Sequence, residues 1–144
     1  MEVSVNYLSV IVAAVSSMVL GFLWFGPILG KQWIASMGWT EAEISAGREK
    51  MKKEGWKTYL IQAIGALVMA YVLSHVLVFA TSYMQTSGLM AGLTSGFWMW
   101  LGFVAPVTVG VVLWDGKPWK LWFIQSGYYL VSLIVMGIII EVWM

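Results

Sequence analysis

His75 is the only histidine in the chain, and it stands inside a long apolar run. An ionisable group within a bilayer is a functional-site candidate, able to pass a proton or hold a ligand. A neutral imidazole that donates one hydrogen bond to a neighbour is the plainer reading, and the sequence leaves both open. Gln62, Gln125 and Thr108 add uncharged hydrogen-bonding groups towards one side of the same apolar runs. Amides in hydrocarbon are costly unless paired, so the glutamines either bond each other across a bundle or form a polar spot. Beside Lys57 and Lys120 such a spot would suit an anion or a lipid headgroup. Pro27 and Pro106 each remove a backbone donor and free a carbonyl about one turn earlier. A plain kink accounts for them, and so does a carbonyl-lined path. These six residues (His75, Gln62, Gln125, Pro27, Pro106 and Thr108) form the candidate pore or ligand lining.

Other chemistry is poorly provided for. The chain has no cysteine, which excludes disulfides, thiolate metal sites and cysteine nucleophiles. A single histidine cannot supply both axial ligands of a haem and makes a poor metal site within one chain. No nucleophile sits with a base, and no carboxylates pair in mid-membrane, so the chain reads as a non-enzyme. Asp115 precedes Gly116 as a turn residue, and Glu141 reads as an exposed acid at a helix end. Six of the ten tryptophans (Trp33, Trp39, Trp56, Trp114, Trp119 and Trp122) gather towards the cytoplasmic interface and the ten methionines are scattered, so no cofactor is expected.

The elements that position these residues follow from composition. Hydrophobic residues make up 60% of the chain, and the mean hydropathy is +0.83. A bilayer core about 30 Å thick needs roughly 20 apolar helical residues to cross it. The uncharged runs, split at the turn formers of 81–88, predict four membrane helices at about 5–29, 58–80, 89–113 and 120–142. No strand-like alternation interrupts them. The reading is an all-α membrane protein, a single integral membrane domain over 1–144 in an up-down bundle.

All eight Lys/Arg fall after helix one or after helix three. The positive-inside rule then places both basic loops in the cytoplasm and both termini outside. The short N-terminal tail, bearing Glu2, lacks a basic n-region, so no cleaved signal is expected. Within the cytoplasmic loop 31–57, Thr40-Glu41-Ala42-Glu43 reads as a capping box and Gly55 as a stop. That predicts a short, separate cytoplasmic helix. Lys50, Lys52, Lys53, Lys57 and Lys120 either set topology alone or also hold anionic lipid headgroups.

Two patterns bear on packing. Gly88, Gly92 and Gly96 recur every fourth residue, and Ala66, Ala70 and Ser74 make a second small stripe. Such stripes let helices approach closely, within one chain or between subunits of a homo-oligomer. Trp56-Lys57-Thr58-Tyr59-Leu60-Ile61-Gln62-Ala63 is echoed by Trp119-Lys120-Leu121-Trp122-Phe123-Ile124-Gln125-Ser126, 63 residues on. Helices one and three echo each other around Pro27 and Pro106. A duplicated two-helix unit would give a parallel 2+2 repeat, although similar depths also attract similar residues.

Trp24-Phe25-Gly26-Pro27-Ile28-Leu29-Gly30-Lys31-Gln32-Trp33 resembles the first-helix signature of domain of unknown function 1761, a bacterial and fungal membrane family. Trp100-Leu101-Gly102-Phe103-Val104-Ala105-Pro106 is similar to that family's third-helix motif. Leu113-Trp114-Asp115 and the stretch from Ile124-Gln125-Ser126-Gly127-Tyr128 to Met136-Gly137 are similar to its fourth-helix region. His75 sits where the family often has a histidine. Asp115 stands where Glu is expected, and Gln125 where Asn is expected. The likeness spans nearly the whole chain and implies four helices in a bacterial cytoplasmic membrane, with no established activity.

The functional expectation is a small transport or channel-like protein built as a homo-oligomer. Its alternative is a non-transporting scaffold that binds anionic lipids. The partners expected are the bilayer, further copies of the chain and anionic lipids, with no nucleic acid.

Overall fold

In the computed structural model, residues 4–144 are described, and Glu2 of the N-terminal tail lies outside them. Asn6 starts the helical chain, its side-chain oxygen accepting from the Leu8 and Ser9 amides at 3.1 and 3.3 Å. That satisfies two of the donors which the first turn of any helix leaves free. Helix α1 (Tyr7–Leu23) runs directly into a π-helical turn, Trp24–Ile28, that contains Pro27. A proline ring collides with the carbonyl one turn back in a regular α-helix, and the wider turn relieves the clash. The chain recovers when the Leu29 amide reaches the Trp24 carbonyl at 2.9 Å. Helix α2 (Gly30–Met37) follows and ends at Gly38, whose φ of +70° suits glycine.

The capping box of Thr40 and Glu43 is formed, with the Thr40 amide donating to Glu43 Oε2 at 2.7 Å. It opens α3 (Glu41–Met84), a single helix of 44 residues. The expected separate helix ending at Gly55, and the loop drawn over 31–57, are therefore corrected. Gly55 lies in mid-helix, outside the left-handed conformation of Gly38, Gly88 and Gly116. A glycine costs a helix only about 1 kcal/mol against alanine, and the Arg/Glu/Lys/Met residues around it are good helix formers. At about 1.5 Å per residue α3 is some 66 Å long, twice the bilayer core, so its first turns project beyond it.

Gln85–Gly88 turn the chain into α4 (Leu89–Met99). A second π turn, Trp100–Val104, precedes Pro106, and α5 (Ala105–Thr108) and α6 (Gly110–Leu113) complete that segment. The last helix is α7 (Trp119–Val142). Both prolines thus sit in or beside π turns rather than simple kinks. Four segments are long and apolar enough to cross a membrane: Tyr7–Ile28, Glu41–Met84, Leu89–Leu113 and Trp119–Val142, here called the first to fourth spans. The chain is a helical membrane protein, with no strand among the described residues.

The core is made largely of small or slender side chains. Val10, Ala13 and Ala14 of α1 meet Ala66, Ala70, Leu73 and Leu77 of α3, with Leu133, Met136 and Ile140 of α7. Large residues such as Phe22, Ile61, Phe79, Phe103 and Phe123 face outwards. Lipid is as apolar as those side chains, so helix association relies on close backbone approach instead.

Candidate functional site

The spans are joined by unequal seams. Between the first and fourth, Tyr128 donates its hydroxyl to the Ser17 carbonyl at 3.0 Å, and Ser132 donates to Ser17 Oγ at 2.8 Å. All three residues are buried. Further along, Trp24 donates its indole N–H to the Ile124 carbonyl at 2.9 Å. Between the third and fourth spans, Trp100 donates to the Ser126 carbonyl at 2.9 Å, and Trp122 donates to Thr108 Oγ1 at 3.1 Å. The same two helices meet most closely at glycine. A Cβ on Gly92 would lie 2.6 Å from the Gly137 carbonyl, and one on Gly96 2.7 Å from the Leu133 carbonyl oxygen.

The stripe of Gly92 and Gly96 is therefore used within the chain, against the fourth span. Gly88 does a different job. With a φ of +73° it caps α4, and its amide donates to Glu141 Oε1 at 2.9 Å. Glu141, expected as an exposed acid, is buried, and its Oε2 has no hydrogen-bond partner among the described residues. The reason is topological: the last turn of α7 folds over the start of α4.

Ala66, Ala70 and Ser74 are buried in the seam between the first and second spans. No side-chain hydrogen bond ties α3 to another span among the described residues. Packing alone holds it, at these small residues and at Leu73 and Leu77.

The seam between the second and third spans is open. A cleft of about 410 Å³ runs between Val68, Met69, Val72 and Leu73 of α3 and Met99, Phe103, Val104, Val107 and Thr108 of the third span. Tyr129 and Leu133 of α7 form its floor. The Gln85–Gly88 turn joins the two walls at the far end, and α3 makes its backbone contact with the third span at α4, beside that turn. The lining is apolar apart from the two hydroxyls of Thr108 and Tyr129. Thr108 donates to the Val104 carbonyl at 2.7 Å, whereas the Tyr129 hydroxyl has no partner among the described residues. A volume within the range of about 300–1,000 Å³, mostly apolar with a few polar groups, is the profile of a small-molecule site.

The six candidate lining residues are not gathered around one pore. Thr108 lines the cleft, and Pro27 and Pro106 are exposed on the outer surface. His75 is half-buried, with Nδ1 donating to the Tyr71 carbonyl at 2.8 Å and its ring 4.4 Å from the Tyr71 ring. It follows Val72 by three residues, one turn beyond the cleft wall. Gln125 precedes Tyr129 by four residues and Gln62 precedes Met69 by seven, so helical spacing places each on the cleft-lining face of its helix, nearer the basic end. The two glutamines do not bond each other.

Among the basic residues, Lys50, Lys53 and Lys57 share one face of the continuous α3, and Lys52 lies on another. Lys57 pairs with Glu54 at 3.0 Å, and Lys120 is exposed at the start of α7. Lys117 donates to the Met37 carbonyl at 2.7 Å, fastening the two basic loops together. Sequence reasoning missed the cleft, and the only signal for it was Tyr129 beside Tyr128. No group of metal ligands occurs among the described residues.

A model of the family described as "Protein of unknown function (DUF1761)" matches residues 8–141. No curated protein and no solved structure matches.

Proposed function

We propose that this chain, which belongs to the DUF1761 family of proteins of unknown function, is a small transport protein that takes its substrate laterally from the lipid. The observation that carries this reading is the apolar cleft between the second and third spans, open at the protein surface where Val68, Val72, Phe103 and Val107 are exposed. Its basic end faces the cytoplasm by the positive-inside rule, with both termini outside a bacterial cytoplasmic membrane. The cleft is built within one chain, so binding does not require an oligomer. A homo-oligomer would add to this arrangement through surfaces other than Gly92 and Gly96.

Movement is supported by the inequality of the seams. In an up-down bundle made of two repeated helix pairs, the first–fourth seam corresponds to the third–second seam. The former is closed by Ser17, Trp24, Tyr128 and Ser132, and the latter stands open. A shear of α3 along its alanine stripe would narrow the cleft without breaking an interhelix hydrogen bond.

A second reading is a scaffold that binds anionic lipids, supported by the Lys50, Lys53 and Lys57 face of α3. Native mass spectrometry of gently extracted protein separates the two. Val72→Trp and Val104→Trp fill the cleft, whereas Lys50, Lys53 and Lys57 changed together to Glu reverse the charge. Loss of a retained small molecule only in the cleft-filled variants supports transport, and that molecule then enters a vesicle-transfer assay. Loss of bound lipid only on charge reversal, with nothing retained in the cleft, overturns it.

A further inference from the structure

We infer that the cleft takes an uncharged amphiphile, its head hydrogen-bonded by Tyr129 and Gln125 and its tail lying between α3 and the third span. The inference rests on the cleft reading above and specifies its substrate class.

Three polar groups near the basic end of the cleft are without partners among the described residues: the Tyr129 hydroxyl and the amides of Gln125 and Gln62. Tyr129 lines the cleft, Tyr129 and Gln125 are half-buried, and Gln62 is exposed. Gln125 lies one turn from Tyr129 on the same helix face, and Gln62 continues the face of Met69 and Leu73. Hydrocarbon offers no hydrogen bonds, so a bound molecule with a hydrogen-bonding head would supply Tyr129 and Gln125 with partners that the tails of lipids do not. Thr108 is largely engaged already, by the Val104 carbonyl and the Trp122 indole.

The charge of that molecule follows from where the charged side chains are. None lines the cleft. Lys57 lies on the same side of α3 as Val68, but eleven residues before it, about 16 Å nearer the basic end, where it pairs with Glu54 at 3.0 Å. Lys120 precedes Tyr129 by nine residues, about half a turn off the cleft face. His75 spends Nδ1 on the Tyr71 carbonyl. An anionic head placed by Tyr129 would be desolvated with no counter-ion, whereas a hydroxyl or carbonyl head fits donors and acceptors that are both present. The adjoining walls of Val68, Val72, Val104 and Val107 receive only an apolar tail.

The test uses the full-length protein in vesicles with two photoactivatable probes of equal chain length, a diazirine-bearing long-chain alcohol and its phosphate monoester. The expected result is that the alcohol labels peptides spanning 68–73 and 99–108, and the phosphate labels them far less. Tyr129→Phe with Gln125→Leu should lower alcohol labelling about threefold to tenfold, the effect of losing one or two net hydrogen bonds. Should that variant fail to fold, competition on the unmodified protein by unlabelled alcohol against unlabelled phosphate makes the same comparison. Equal or stronger cleft labelling by the phosphate overturns the inference but leaves the cleft as a binding site. Alcohol labelling unchanged in a folded variant removes Tyr129 and Gln125 from the head site. Labelling of the cleft by neither probe, or a chain-to-chain crosslink in its place, overturns the cleft reading as well.

Discussion

Replacing Gly92 with alanine would measure how much of this fold depends on the third–fourth contact. A Cβ there would lie 2.6 Å from the Gly137 carbonyl carbon and oxygen and 2.7 Å from the Ile138 amide. Ordinary contact begins at 3.4 Å, so the helices must separate by 0.8 Å (3.4 minus 2.6) along that line. Every obstacle is backbone, and none can rotate away. A gap of about 0.5–1 Å forfeits a quarter to a half of each dispersion contact beside it. Overpacking of this kind costs roughly 1–3 kcal/mol. In a chain of this size that lowers Tm by about 3–10 °C. Gly65→Ala is the control, because nothing lies within 4 Å of the Cβ it would introduce. It should hold or raise Tm through helix propensity alone. Thermal unfolding in detergent, followed by the fluorescence of the ten tryptophans, reads both variants. Native mass spectrometry should show the same oligomeric state for each, since the contact is internal. Equal Tm values for Gly92→Ala and Gly65→Ala would refute the close approach on which the argument depends.

Glu141→Ala should destabilise the protein by about 1–3 kcal/mol by orphaning the Gly88 amide, and Glu141→Gln should restore most of the loss. Two variants with the same Tm would show that the Gly88 bond is not what Glu141 contributes. The continuity of α3 is open to distance measurement, because the chain has no native cysteine to interfere. Spin labels at Ser45 and Leu60 should report a narrow distribution near 22 Å, fifteen helical steps apart, and Gly55→Pro should shift and broaden it. A broad distribution before that substitution would put a break at Gly55.

The spans were legible because bilayer thickness sets their length and lipid sets their composition. The third, predicted at about 89–113, runs from Leu89 to Leu113. Caps were legible for the same local reason, as Thr40 and Glu43 show. What failed were inferences that local chemistry underdetermines. Gly55 has the residue type of a stop, but termination requires a left-handed conformation that the following helix suppresses. The proline positions were visible, and their absorption into π turns, whose first residues Trp24 and Trp100 bond α7 carbonyls, was not. Glu141 looked exposed because its burial comes from a turn 53 residues away. The candidate site was legible as residue types only. Spacing places Gln62 and Gln125 on the cleft-lining faces of α3 and α7, but an opening between two helices leaves no periodicity in either.

Which helix can move is decided by where the interhelix hydrogen bonds are. Tyr128, Ser132, Trp24, Trp100 and Trp122 tie the fourth span to the first and third, and in lipid each such bond contributes on the order of 0.6 kcal/mol. No comparable side-chain bond reaches α3 from another span among the described residues, so its position rests on packing at Ala66, Ala70, Leu73, Ser74 and Leu77. Packing between flat faces resists separation more than sliding, and the Gln85–Gly88 turn restrains only the end of α3 remote from its basic residues. A stiff helix of 44 residues hinged at that turn would displace its basic end most. Under the transport reading, occupancy of the cleft and the position of the Lys50, Lys53 and Lys57 face are then one coordinate. A ligand that draws the walls together must also move that face relative to the membrane surface.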